Sequence, residues 1–187
     1  LFAIAATIVG WGFIYCTKTF KVLFKKLQTP IYIKTCLGGI ALGFIVFYFP
    51  ITRYFGHHEI SQLLISDFSL SFLIAILIFK ILAIAITVTS GWRGGFIIPL
   101  FFCGATLGII IHHFIPSISL SLTVVSCMAA INACVTRTPM STTILLATLT
   151  GFSYFIPILF ASLTGYFFAP KIPFITSQMK IEKKELK

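Results

Sequence analysis

The sequence predicts an all-α, polytopic membrane protein with tilted and broken helices. Hydrophobic residues make up 58% of the chain and charged residues only 10%, and the mean hydropathy of +1.06 belongs to a chain that sits in lipid. The apolar residues gather into stretches of about 20, the length a helix needs to cross a bilayer, whereas barrel strands would alternate over segments of about 10. Glycines, prolines and isolated polar residues interrupt these stretches, so several are too short or too broken to cross as one straight helix.

In chain order the apolar spans fall near 1–16, 33–51, 62–89, 95–115, 117–135 and 139–169, the last with expected breaks at Gly151 and Pro157. The first span lacks a charged leader and a cleavage motif, so it is not read as a signal peptide, and the start at Leu1 suggests the interior of a longer polypeptide. Residues 1–175 form the expected membrane domain, followed by a basic tail, 176–187.

Most of the 14 cations behind the net charge of +10 gather in two flanks. Lys18, Lys21, Lys25, Lys26 and Lys34 occupy what reads as a single connection, and Lys180, Lys183, Lys184 and Lys187 crowd the tail. The positive-inside rule places both in the cytoplasm. No basic face exists apart from these flanks, which argues against nucleic acid as a partner.

Chemistry-bearing residues are few. Cys16, Cys36, Cys103, Cys127 and Cys134 are scattered through or beside apolar segments without metal-type pairing and read as free thiols. His57-His58-Glu59 and His112-His113 lack the i, i+4 spacing of a helical zinc site and read as interfacial loop residues, so no metal site and no cofactor is expected. No Ser/His/Asp order, phosphate-binding loop or CxxC is present, and enzyme chemistry is not expected. Ionisable groups within the apolar regions cost a few kcal/mol each unless partnered or wetted. Asp67, Lys80, Arg93 and Arg137 are these groups. Lys80 either attracts an anion, pairs with Asp67, or snorkels to the headgroups; Arg137 is expected at an interface or re-entrant turn.

The richest segment is Ser90-Gly91-Trp92-Arg93-Gly94-Gly95-Phe96-Ile97-Ile98-Pro99, where small residues and a proline interrupt an apolar run that resumes at Leu100. Glycines leave backbone amides uncovered, and a helix starting after them turns free N–H groups and its positive dipole end outwards. In a bilayer, such irregular backbone survives where it is buried in protein or lines a watery cavity. The residues alone equally suit a plain interhelical turn, since glycine pairs also serve close packing.

This segment, followed by Gly104-Ala105-Thr106-Leu107-Gly108, resembles the CLC family of chloride channels and proton-coupled chloride exchangers. Three weaker resemblances follow the family's order: Gly56-His57-His58-Glu59-Ile60 before its short pore helices, Thr136-Arg137-Thr138-Pro139-Met140-Ser141 before its dimer-interface helix pair, and Lys171-Ile172-Pro173-Phe174 at the start of its last helix. The resemblance covers the C-terminal half of a family member, one half of an inverted-repeat fold.

The resemblance implies transport of chloride or a similar small anion, by a channel or a proton-coupled antiporter. Its anion site is expected at Gly94, Gly95, Phe96, Ile97 and Phe174, with backbone N–H groups from Phe96 and Ile97 and with Arg93 and Lys80 as candidate attractors. Phe174 stands where many members have a tyrosine, and Thr148 where several have a glutamate, which puts tight binding or strict coupling in question. The family's serine-bearing loop and gating glutamate belong to the first half and have no counterpart here. A homodimer is implied through helices near 1–16, 139–150 and 152–168; the low charge content and compact tail suggest a bacterial inner membrane, and the basic tail a cytoplasmic C-terminus. The competing reading is a non-conducting, truncated scaffold that only dimerises.

Overall fold

The computed structural model describes residues 2–53, 57–65, 68–92, 94–171 and 174, without the side chains of His57 and His58. Among them there are helices and no strand: α1 (Phe2–Lys26), α2 (Ile31–Tyr48), a 3₁₀ turn (Pro50–Thr52), α3 (His57–Ile65), α4 (Leu70–Thr89), α5 (Ile97–Phe114), α6 (Leu120–Thr136), α7 (Pro139–Thr150), a 3₁₀ turn (Phe152–Tyr154) and α8 (Phe155–Phe167). Four of them, α1, α2, α4 and α5, are long and apolar enough to cross a membrane, while α6, α7 and α8 are apolar but shorter. The protein is a multi-pass integral membrane protein.

The centre of the fold is α6, packed by α5, α8 and α1. Every residue from Thr123 to Thr136 is buried. Lipid tails are as apolar as leucine, so helices associate here by close fit rather than by escape from water. Small residues provide that fit. A Cβ on Gly104 would lie 2.4 Å from the Met128 Cα, one on Gly108 2.4 Å from the Val124 Cα, and one on Gly165 2.3 Å from the Ala130 carbonyl oxygen. The Gly104-x-x-x-Gly108 stretch is therefore the seam between α5 and α6. Many threonines inside the helices return their hydroxyls to the preceding turn, as Thr106 does to the Phe102 carbonyl at 2.9 Å, which satisfies that donor within the helix.

The observed helices correct several expectations. The first runs on to Lys26, so Lys18, Lys21, Lys25 and Lys26 lie on α1 and not in a connection. Lysine is a good helix former, and cations in the last turns complement the negative end of the dipole. The span expected at 62–89 is two helices, α3 and α4. His57 and His58 open α3, and His112 and His113 close α5, rather than occupying loops. Gly151 does break the last span, at φ +97°, but Pro157 does not. It is the third residue of α8, where its missing N–H would have had no helical partner. The tail at 176–187 and its lysines lie outside the described residues, as do Asp67 and Arg93.

Candidate functional site

The glycine-rich segment between α4 and α5 is held by α2. Gly91 ends α4 with φ +96°, a backbone conformation that L side chains rarely adopt. The Thr35 hydroxyl donates to the Ser90 carbonyl at 3.0 Å, and the Trp92 indole N–H donates to the Thr35 carbonyl at 3.1 Å. Gly38 permits this approach, because a Cβ there would meet the Ser90 side chain at 2.5 Å.

The chain then passes through Gly94 and Gly95, both exposed, and α5 begins at Ile97 with Phe96 as its cap. The first intrahelical bond runs from the Leu100 N–H to the Phe96 carbonyl at 3.0 Å. The amides ahead of it have no partner within a regular helix, and Pro99 carries none, so the donors of this first turn are those of Ile97 and Ile98 with the cap amide of Phe96 before them. A Cβ on Gly94 or Gly95 would meet nothing within 4 Å, so the approach to this turn is open among the described residues.

Phe174 comes to the same place from the far end of the chain. Its ring centroid lies 4.9 Å from that of Phe96, edge to face, and 5.3 Å from that of Phe13, which is fully buried on α1. Arg137 fixes this segment. It ends α6 in the left-handed conformation, φ 56°, and its guanidinium donates to the Pro170 carbonyl. The expected turn at Arg137 is thus the reversal between α6 and α7, with a tether to the residues that lead to Phe174. Ile172 and Pro173, part of the expected start of a last helix, lie outside the described residues.

Lys80 does not snorkel outward. It is 2% exposed, its ammonium donates to the Thr52 carbonyl at 3.0 Å, and it lies 4.8 Å from the centroid of the Phe102 ring. Glu59 on α3 is buried within electrostatic reach of it. A cavity of about 410 Å³ between α2, α4 and the start of α5 is lined by Lys80, Arg53, Trp92, Gly94 and Gly95. Lys80, midway along α4, therefore lines the same cavity as the glycine pair.

Two residues of this arrangement escape the sequence reading. Phe13 looks like any core phenylalanine until Phe174 is seated on it. Asn132 had a signal, since it is the chain's single asparagine and lies in an apolar run where an amide needs a partner. The partner is the Ile97 carbonyl in the first turn of α5, at 2.9 Å.

A fold of this kind, apolar helices of membrane-spanning length around a segment broken by exposed glycines, defines a multi-pass integral membrane protein. Residues 1–170 match the family described as voltage gated chloride channel, and the chain belongs to that family. It is 31% identical over 164 residues to "Uncharacterized protein MJ0305" of Methanocaldococcus jannaschii, an alignment covering 88% of this chain and 41% of that protein. It is 29% identical over 137 residues to "Putative ion-transport protein YfeO" of Escherichia coli O1:K1 / APEC, covering 72% of this chain and 32% of that protein. The YfeO protein of Escherichia coli O127:H6 matches at the same 29% identity and coverage. The chain thus spans about a third to two fifths of the length of these relatives.

Proposed function

We propose that this chain provides the C-terminal half of a CLC-type transporter that moves chloride or a similar small anion. The observation that carries the reading is the first turn of α5, which opens after an exposed glycine pair with Phe96 as its cap and no side-chain capping bond, and with the Phe174 ring against Phe96. Such a turn favours an anion by its N–H groups and dipole without a full positive charge, which keeps the ion releasable. Gly94 and Gly95 leave room for the ion, Lys80 and Arg93 draw anions towards it, and Phe174 closes one side with a ring edge that carries a weak positive potential. No catalytic step, cofactor or metal enters this function; the anion is the cargo.

The remaining parts of the site come from the other half of the full-length polypeptide. The same reading places the lysine-rich end of α1 and the chain's C-terminus in the cytoplasm of a bacterial inner membrane. It pairs two subunits through α1, α7 and α8, whose outward residues include Ile4, Ile8, Met140, Ile144, Ile156 and Phe160, all exposed in the single chain.

The test is anion efflux from chloride-loaded proteoliposomes containing the full-length protein, with proton movement followed alongside. Chloride efflux supports the reading, and coupled proton movement marks an antiporter rather than a channel; no efflux from well-folded protein supports the non-conducting scaffold. Phe174→Tyr supplies a hydroxyl donor beside the amides and is expected to tighten chloride binding roughly three- to tenfold. Titration calorimetry on the purified protein checks this, and an unchanged affinity contradicts the placement of Phe174 at the ion.

A further inference from the structure

We infer that Asn132 is a positioning residue for the anion-facing turn of α5. The inference rests on the reading of that turn as the anion site. The spacing of the α5–α6 seam leads directly to it. Gly104 sits against Met128 and Gly108 against Val124, so the antiparallel helices advance four residues each per step. One step further along α6 is Asn132, and one step back along α5 is Leu100 in the opening turn. At the glycines the two backbones touch; at the next step a side-chain amide takes over the contact.

Asn132 is 1% exposed, and its side-chain N–H donates to the Ile97 carbonyl at 2.9 Å. The partner being a carbonyl, the amide orientation is fixed by chemistry, with nitrogen towards α5. In a regular helix the Ile97 carbonyl also accepts from the Phe101 N–H, so it serves two donors. That has two consequences for the turn. Its first residue is tied to the most buried helix of the fold instead of fraying, as helix ends do. The second is electronic: the Ile97 carbonyl belongs to the same peptide group as the Ile98 N–H, and drawing charge onto the oxygen makes that N–H a stronger donor. An anion at the turn then meets Phe96 and Ile97 amides held in place by the tether, with a polarised Ile98 N–H beside them. A merely packed residue at this position, such as leucine, would do neither.

The experiment compares full-length wild type with Asn132→Leu and Asn132→Asp, each first checked for a monodisperse peak on size exclusion. Chloride affinity is measured from about pH 4.5 to about pH 8 and divided by the wild-type value at the same pH. The quotient removes the contributions of Cys103, His112 and His113 on α5 and of Cys127, Cys134 and Arg137 on α6. Asn132→Leu should lose roughly three- to tenfold at every pH. Asn132→Asp should lose at least as much at high pH, where a carboxylate has no proton to donate, and recover at low pH, where the carboxyl O–H donates to the Ile97 carbonyl. Affinities equal to wild type, or losses in both variants that ignore pH, overturn the inference. If wild type itself binds no chloride, the transport reading fails separately, and amide hydrogen exchange then decides. Faster exchange over residues 96–101 in Asn132→Leu than in wild type supports the positioning role, and unchanged exchange overturns it.

Discussion

Gly104→Leu and Gly108→Leu are each expected to abolish the folded, monodisperse protein. Carbon atoms are in comfortable contact at about 3.5–4.0 Å. The first side-chain carbon at either position would lie 2.4 Å from a Cα of α6, and the obstacle is backbone, which no rotamer change can move. Ordinary overpacking costs about 1–3 kcal/mol, and separating two backbones along the central helix belongs at or beyond the upper end of that range. Fluorescence-detected size exclusion checks it, with Gly43→Ala as a control, since a Cβ there meets nothing within 4 Å. A monodisperse peak of wild-type height from either leucine variant would contradict the α5–α6 seam.

Arg137→Ala is expected to have the next largest effect. It removes a charge-assisted bond to the Pro170 carbonyl, of a kind worth about 1.5–3 kcal/mol, and keeps an L residue at φ 56°. Two observables should move together: the melting temperature in detergent should fall, and chloride affinity should weaken as Phe174 loses its seat between Phe13 and Phe96. Arg137→Lys retains one donor and should recover part of both. An unchanged melting temperature would contradict the tether.

Much of this fold was legible because lipid simplifies the code. Apolar length alone located α2, α5 and α6 to within a few residues and the C-terminal end of α4, and the expected break of the last span at Gly151 is where the chain takes φ +97°. Several of the misreadings come from assuming that lysines, histidines and proline end helices, while the single span read over 62–89 ignored the polar residues between α3 and α4. Lys18 to Lys26 continue α1 because lysine propensity and the dipole favour them there, and Pro157 sits harmlessly in the first turn of α8.

The candidate site was only partly legible. Gly94, Gly95, Phe96 and Ile97 are contiguous, so the sequence displayed them as one motif. Phe174 needed the family resemblance to be singled out, because nothing local joins it to Phe96 across 77 intervening residues. Asn132 and Phe13 meet that motif through tertiary packing: the lone asparagine signalled that it needs a partner but not which, and Phe13 identifies itself only once α1 is in place.

The most direct test of the central claim is chloride efflux from proteoliposomes with full-length Gly95→Leu beside wild type. A Cβ at Gly95 meets nothing within 4 Å in the described structure, so the variant is expected to fold, while its isobutyl group occupies the approach to the Phe96 and Ile97 amides. The predicted result is a monodisperse protein whose efflux is down by about tenfold or more, equivalent to about 1.4 kcal/mol or more. Wild-type efflux from that variant would contradict the placement of the anion at the first turn of α5.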